Sequence, residues 1–164
     1  MSQKEFNALF EYFEGYLFWK KTNFYRIKVG DLVGCDNGAG YLTTKISGKC
    51  YKIHRIIWIM HYGQIPEGIM IDHINGIKDD NRIENLRLAT HGQNRRNSRK
   101  DIDSENNLKG VYLTKYGTYQ SRIFINGKTK YLGTFNTKED AHLAYCFVAK
   151  EIFGEFFNNG EAHG

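Results

Sequence analysis

The stretch Met70-Ile71-Asp72-His73-Ile74-Asn75-Gly76-Ile77-Lys78-Asp79-Asp80-Asn81-Arg82-Ile83-Glu84-Asn85-Leu86-Arg87-Leu88-Ala89-Thr90-His91-Gly92-Gln93-Asn94-Arg95-Arg96-Asn97 decides the fold. An apolar pair leads into Asp72-His73 and a polar loop follows. Asn85-Leu86-Arg87-Leu88 restarts a strand, and Thr90 stands where it can cap a short helix holding Asn94 and Asn97. The local order is therefore strand, loop, strand, helix.

Working outward toward the N-terminus, Tyr12, Phe13, Tyr16, Phe18 and Trp19 are strand formers around Glu14-Gly15, which predicts a hairpin. Asn37-Gly38 and Ser47-Gly48 are further turn signals, with 41–46 and 49–53 as the arms of a second hairpin. Ile53, Ile56, Ile57 and Met60 are spaced as one helix face that Gly63 can end, and Pro66-Glu67-Gly68 forces a turn. Toward the C-terminus, 101–107 is polar and acidic and lacks apolar periodicity, so it is expected to be a linker. Three strands follow at 110–114, 119–125 and 128–134, the last two joined by Asn126-Gly127, a strong hairpin signal. Thr137-Lys138-Glu139-Asp140 is a capping box with Asp in place of Glu. Ala141, Ala144, Tyr145, Val148, Ala149 and Ile152 then form an apolar helical stripe before Gly154. The expected class is α+β: a β-rich N-terminal region carrying the strand–loop–strand–helix unit, then a three-stranded antiparallel sheet packed on one helix. The expected domains are 1–100 (with its β-rich part at 1–53 and the decisive unit at 69–98), the linker 101–107, a second domain at 108–159 and a tail at 160–164.

Composition excludes several classes. The 164 residues are 41% hydrophobic and 25% charged, within the ordinary globular range, so wholesale disorder is excluded. No apolar run is long enough to span a membrane, and the first residues lack the pattern of a signal peptide. Cys35, Cys50 and Cys146 form no CxxC pair, so a zinc ribbon or disulfide framework is not expected; buried, reduced thiols in a cytoplasmic protein are. The net charge of +5 is uneven: 106–136 holds five basic residues and no acidic one, as a nucleic-acid-facing surface would.

The chemistry follows from the same stretch. Hydrolysing a phosphodiester needs a base for water and a cation to neutralise charge on the phosphate and the leaving oxygen. Asp72 offers a carboxylate, an Asn side chain offers a second oxygen, and such hard donors suit Mg²⁺ or Mn²⁺. His73 titrates near neutral pH and suits the base.

IDHINGIKDDNRIENLRLATHGQNRRN closely resembles the HNH nuclease motif, the ββα-metal fold, in the version found in phage and intron-encoded homing endonucleases, and HRIIWIMHYGQIP resembles its lead-in. The resemblance implies that His73 is the general base, Asp72 and Asn94 hold one divalent metal ion, and Asn85 orients the catalytic ring. Asn94 stands where the family often has His. His91 competes as a ligand but lies near the helix cap, so Asn94 is preferred. Arg87, Arg95 and Arg96 then contact DNA phosphates, with Arg99 and Lys100 undecided, since a charge run is often only a solvated face.

Residues 108–158 resemble the Apetala-two/ethylene-response-factor DNA-binding domain through Lys109-Gly110-Val111, the 131–135 strand, 137–141 and Ala144-Tyr145. That family lays its sheet in the major groove, and by position Lys109, Tyr112, Thr114, Tyr116, Arg122, Tyr131 and Thr134 fall at contacts. Tyr replaces the expected Arg or Trp at several of them, and Arg122 replaces an acid, which implies a different DNA sequence. Alternation along a strand also sends about half of these side chains toward the helix. Cys146 is expected in the core and His142 on the exposed side of the helix. His54 and His61 read as structural, and His163 lies in the tail.

The resemblances together imply a site-specific, sequence-tolerant DNA endonuclease of the homing type. It would act on double-stranded DNA without a small-molecule cofactor, as a monomer in the simplest case, in the cytoplasm of a bacterial host if phage-encoded. The competing reading is a DNA-binding regulator derived from a nuclease and lacking cleavage.

Overall fold

The computed structural model describes residues 1–97 and 108–159. The expected linker 101–107, Arg99, Lys100, His163 and the tail 160–164 lie outside the described residues. The class is mixed α/β, with four helices and small antiparallel sheets among the described residues. The chain divides into two compact units, residues 1–91 and 92–164.

The first unit opens with α1 (Gln3–Leu9), which sequence reading missed. Its signal is Ser2-Gln3-Lys4-Glu5: Ser2 accepts from the Glu5 N–H and the Glu5 carboxylate accepts from the Ser2 N–H, a complete capping box. The next two elements, β1 (Phe10–Phe13) and β2 (Tyr16–Trp19), form the expected hairpin, with Glu14 and Gly15 both at positive φ. Another sheet is built from β3 (Cys35–Asp36), β4 (Leu42–Ile46) and β5 (Lys49–Lys52), the last two joined by Ser47-Gly48. Then α2 (Ile53–Tyr62) runs to its Gly63 cap and buries Ile53, Ile56, Ile57 and Met60. These join Phe6, Phe10, Leu17, Trp19, Val33 and Ile46 in one core, which also takes Ile71 of β6 (Met70–His73) and Leu86 of β7 (Leu86–Ala89). Burying this many large apolar side chains anchors the β6–β7 pair to the unit's interior. In register, Asp72 stands opposite Arg87 and His73 opposite Leu86. Asn85 closes a 3₁₀ turn just before β7. The helix α3 (His91–Asn97) follows Thr90 and, from Gly92 on, belongs to the second unit.

The second unit contains β8 (Val111–Leu113), β9 (Tyr119–Ile125) and β10 (Lys128–Phe135) in the antiparallel order β10-β9-β8. The sheet packs on α4 (Lys138–Phe153) through Ile123, Ala149 and Phe153. Thr137 caps α4 by accepting from the Asp140 N–H. Gly110 has φ +75 and lies against the Tyr145 ring, so only a residue without Cβ fits there.

Three expectations are corrected. Cys35 and Cys50 are exposed, because β3 and β5 are the outer strands of a small sheet, while Cys146 is half-buried. His142 is buried, not exposed: its Nδ1 lies 2.9 Å from the Lys109 carbonyl and its Nε2 3.3 Å from Cys146 Sγ. Ile152 is exposed and Phe153 takes its place in the core.

Candidate active site

Asp72 and His73 end strand β6 with 5% and 4% of their surface exposed, so both are held by their surroundings. Across the ladder, Arg87 Nε and Nη2 each lie 2.9 Å from Asp72 Oδ2, an ion pair that fixes the carboxylate. Around the His73 ring stand the His54 ring, edge-on with centroids 4.9 Å apart, and the Tyr41 ring at 6.2 Å. The Nε2–H of His73 donates to Asn81 Oδ1 at 3.0 Å. Burial pushes the His73 imidazole below its ordinary pKa, opposed by the Asn81 bond and by the Asp72, Asp80 and Asp79 carboxylates. His54 is pushed to about 3 by burial and by the nearby positive charges, so it stays neutral.

The loop between the strands is tied to itself. Asn85 Oδ1 accepts from the Asn75 N–H at 3.1 Å, while its Nδ2 donates to Asn75 Oδ1 at 3.0 Å and to the Asp80 carbonyl at 2.7 Å. The Asn85 carbonyl accepts from the Ile74 N–H at 2.8 Å. Asn75 Nδ2 donates to Asp80, whose carboxylate also takes Arg82 Nε and Nη2; the Arg82 guanidinium holds Asp80 down to about 2. Asn85, expected to set the His73 ring, holds the loop that follows His73, and Asn81 Oδ1 accepts a hydrogen bond from the ring.

The structure therefore brings Asp72, His73, Asn85 and Arg87 together on β6, β7 and their loop. Asn94, Arg95 and Arg96 lie on α3, and Arg95 is exposed. Sequence reasoning missed Asn81, Tyr41, Lys52 and Lys78, and read His54 as structural without placing it beside His73. The Lys52 ammonium sits 4.1 Å and the Lys78 ammonium 5.1 Å from the Tyr41 ring centroid, so two cations flank the His73 site. Asn81 was one polar residue among many in a polar loop, and the others converge only in three dimensions.

Among the described residues no three His, Cys, Asp or Glu side chains gather as a metal site. The donors that sequence singled out are oxygens, a carboxylate and a carboxamide. That set fits a hard divalent cation, which takes one or two protein ligands and fills the rest of its shell with water and phosphate.

In the second unit, β9 alternates as expected: Ser121 and Ile123 face α4, Arg122 and Phe124 face solvent. Tyr131 stands opposite Arg122, and the Arg122 guanidinium lies 5.2 Å from the Tyr112 ring centroid. Tyr112, Tyr116, Arg122, Phe124, Tyr131 and Thr134 are exposed. Lys109 is not: its ammonium is buried and donates to the Asn158 carbonyl at 3.0 Å, so it serves the fold rather than a surface. Thr114 is half-buried and closes the β8–β9 turn through Thr118 Oγ1 at 2.8 Å.

A family model for the HNH endonucleases matches residues 51–96. The chain is 36% identical over 119 residues, 72% of its length, to an uncharacterized HNH endonuclease of Acanthamoeba polyphaga mimivirus, and the match spans 61% of that protein. It is 31% identical to Protein 7.7 of Escherichia phage T7 over 57% of this chain and 69% of the phage protein. A prophage-derived Bacillus subtilis protein named for the HNH homing endonucleases is 33% identical over 34% of this chain and 32% of its own. No solved structure matches the chain significantly.

Proposed function

The chain carries an HNH endonuclease domain at residues 51–96, and from that premise we propose that it hydrolyses phosphodiester bonds of double-stranded DNA with His73 as general base. The observation that carries the reading is the pair Asp72-His73, buried at the end of β6 inside the matched segment and followed by a loop fixed by Asn85. His73 takes the proton of a water that attacks the phosphorus. The P–O3′ bond breaks and leaves a 5′ phosphate and a 3′ hydroxyl. A divalent ion held by Asp72 and Asn94 would neutralise charge on the phosphate and the leaving oxygen. Asn85 keeps the loop after His73 closed, and His54, neutral beside the base, adds no competing charge.

Lys52 and Lys78 would hold phosphates next to the reacting one, with Arg95 and Arg96 adding further contacts. The exposed face of the C-terminal sheet, with Tyr112, Arg122, Tyr131 and Thr134, would grip a second stretch of DNA as an Apetala-two-like module, raising affinity through linkage of the two units. Domains of 1–100 and 108–159 joined by a linker suit that division of labour. The target would be a homing-type site read with tolerance.

The Asp72–Arg87 ion pair favours one alternative, a DNA-binding regulator without cleavage, because a cation must compete with a guanidinium already on the carboxylate. A gel shift in EDTA followed by Mg²⁺ or Mn²⁺ separates the two. Nuclease function predicts binding in EDTA and cut product after metal addition; binding with no product after either metal supports the regulator.

A further inference from the structure

The polar loop after β6 contains one side chain as buried as any core residue. Asn81 is 1% exposed, and its Oδ1 receives the His73 Nε2–H at 3.0 Å. A carboxamide oxygen accepts and cannot donate, so a ring bonded this way carries its proton on Nε2 and leaves Nδ1 as the basic nitrogen. We propose that Asn81 is the positioning residue that fixes the orientation and tautomer of His73, and that the β1–β2 hairpin holds Asn81 in place from outside the nuclease motif.

The second half of this proposal rests on contacts that the motif does not require. The hairpin turn packs on the backbone of 81–82: a Cβ on Gly15, at φ +89, would lie 2.8 Å from Arg82 N and 3.1 Å from the Asn81 carbonyl carbon. One residue further on, the Ile83 N–H donates to Tyr12 Oη at 3.1 Å. On the inner side the Asn81 N–H donates to the Asp79 carbonyl at 3.0 Å, and the Asp80–Arg82 pair stiffens the residues on either side. Asn81 is thus gripped by backbone on two sides while its amide points at the ring. Among the described residues its Nδ2 finds no hydrogen-bond partner, a cost that the fold bears at this position. The other groups packed on His73, the His54 and Tyr41 rings, limit the volume in which the ring can move, and the Asn81 oxygen supplies a directional bond.

The proposal rests on His73 being the base, and the test separates the two. Two-bond ¹H–¹⁵N spectra of the ¹⁵N-histidine-labelled full chain report the tautomer of His73 directly, whatever the activity. The parent is expected to show the Nε2–H form. Asn81→Leu removes the acceptor at similar volume. It is expected to give a mixture of tautomers and to lower kcat for DNA cleavage by about 10²-fold, the scale of a misplaced catalytic group, with KM unchanged. Asn81→Asp keeps an oxygen at the same place and is expected to restore a single Nε2–H tautomer and most of kcat. Gly15→Ala is expected to shift the His73 signals and lower kcat although it touches neither residue's side chain. An Nδ1–H tautomer in the parent overturns the proposal, as does an Asn81→Leu protein with the parent's tautomer and kcat. If Asn81→Leu does not fold, the parent and Asn81→Asp spectra decide alone. His73→Ala cleaving at the parent's rate overturns the base reading instead, with the tautomer result still standing for Asn81.

Discussion

Replacing Asn85 with Ala should open the loop that follows β6. The side chain makes three hydrogen bonds, to the Asn75 N–H, Asn75 Oδ1 and the Asp80 carbonyl, at a residue that is 7% exposed. At about 1 kcal/mol net for each bond, the loss is about 3 kcal/mol. The only two tryptophans, Trp19 and Trp58, both lie in the first unit, so their fluorescence follows this unit separately from the other. With a urea slope of about 2 kcal/mol/M, the midpoint of that transition should fall by about 1.5 M. Asn85→Asp is the sharper variant. It keeps the shape and the acceptor for Asn75 N–H but turns oxygen toward the Asp80 carbonyl and Asn75 Oδ1, so it should be at least as damaging as Ala. Plasmid cleavage should fall in both at temperatures where the fluorescence shows a folded unit. Midpoints within about 0.3 M of the parent for both variants would refute the loop's dependence on these bonds.

Removing Lys52 or Lys78 should raise KM more than it lowers kcat and should reduce the slope of log affinity against log salt by about one for each, measured by DNA binding in EDTA across a salt series. An unchanged slope would remove them from the DNA surface. Lys109 is depressed by burial to about 8, against 10.5 for the free group, so the unfolded chain binds more protons between these values and stability of the second unit should rise with pH there. Tyr145 is pushed up to about 12 by burial, so its contribution is full below its ordinary value of 10 and is lost as pH rises toward 12. Hydrogen exchange of the second unit should therefore slow from pH 8 toward 10 after correction for intrinsic rates, and Lys109→Met should abolish the trend. Gly110→Ala would place a Cβ within 2.9 Å of Tyr145 Cβ, closer still to its ring, at a positive φ. Strain and overpacking together should cost the second unit about 2–4 kcal/mol. Circular dichroism melts should show that loss while tryptophan fluorescence keeps the parent's transition.

Much of this architecture was legible because local chemistry dictates it. Glu14-Gly15, Ser47-Gly48 and Asn126-Gly127 each supply two positive-φ positions between strand formers, and each makes a hairpin. The helix after Thr137 and the strands around Asp72 and Leu86 also follow from capping and periodicity. The helix at Gln3–Leu9 was hidden because Phe6 and Phe10 merge into the aromatic run of the first hairpin, although Ser2 and Glu5 carried the signal. Cysteine exposure was misjudged because composition does not say which strands are outermost. His142 and Lys109 are buried by a mutual contact across 33 residues that no local pattern encodes. At the candidate site, Asp72, His73 and Asn85 stood out by residue type and spacing. Asn81 did not, because its role depends on the hairpin turn at Gly15 and on a ring eight residues earlier in the chain.

The central claim is that this chain cuts DNA and that His73 is the group that activates water. It is tested most directly by the single-turnover rate of supercoiled plasmid cleavage with Mg²⁺, for the parent and for His73→Ala, each checked by tryptophan fluorescence to be folded. The account predicts nicked or linear product with 5′ phosphate ends from the parent, and a rate at least about 100-fold lower for His73→Ala, the scale of a lost general base. Equal rates for the two proteins, or no cleavage by the parent with either Mg²⁺ or Mn²⁺, would contradict it.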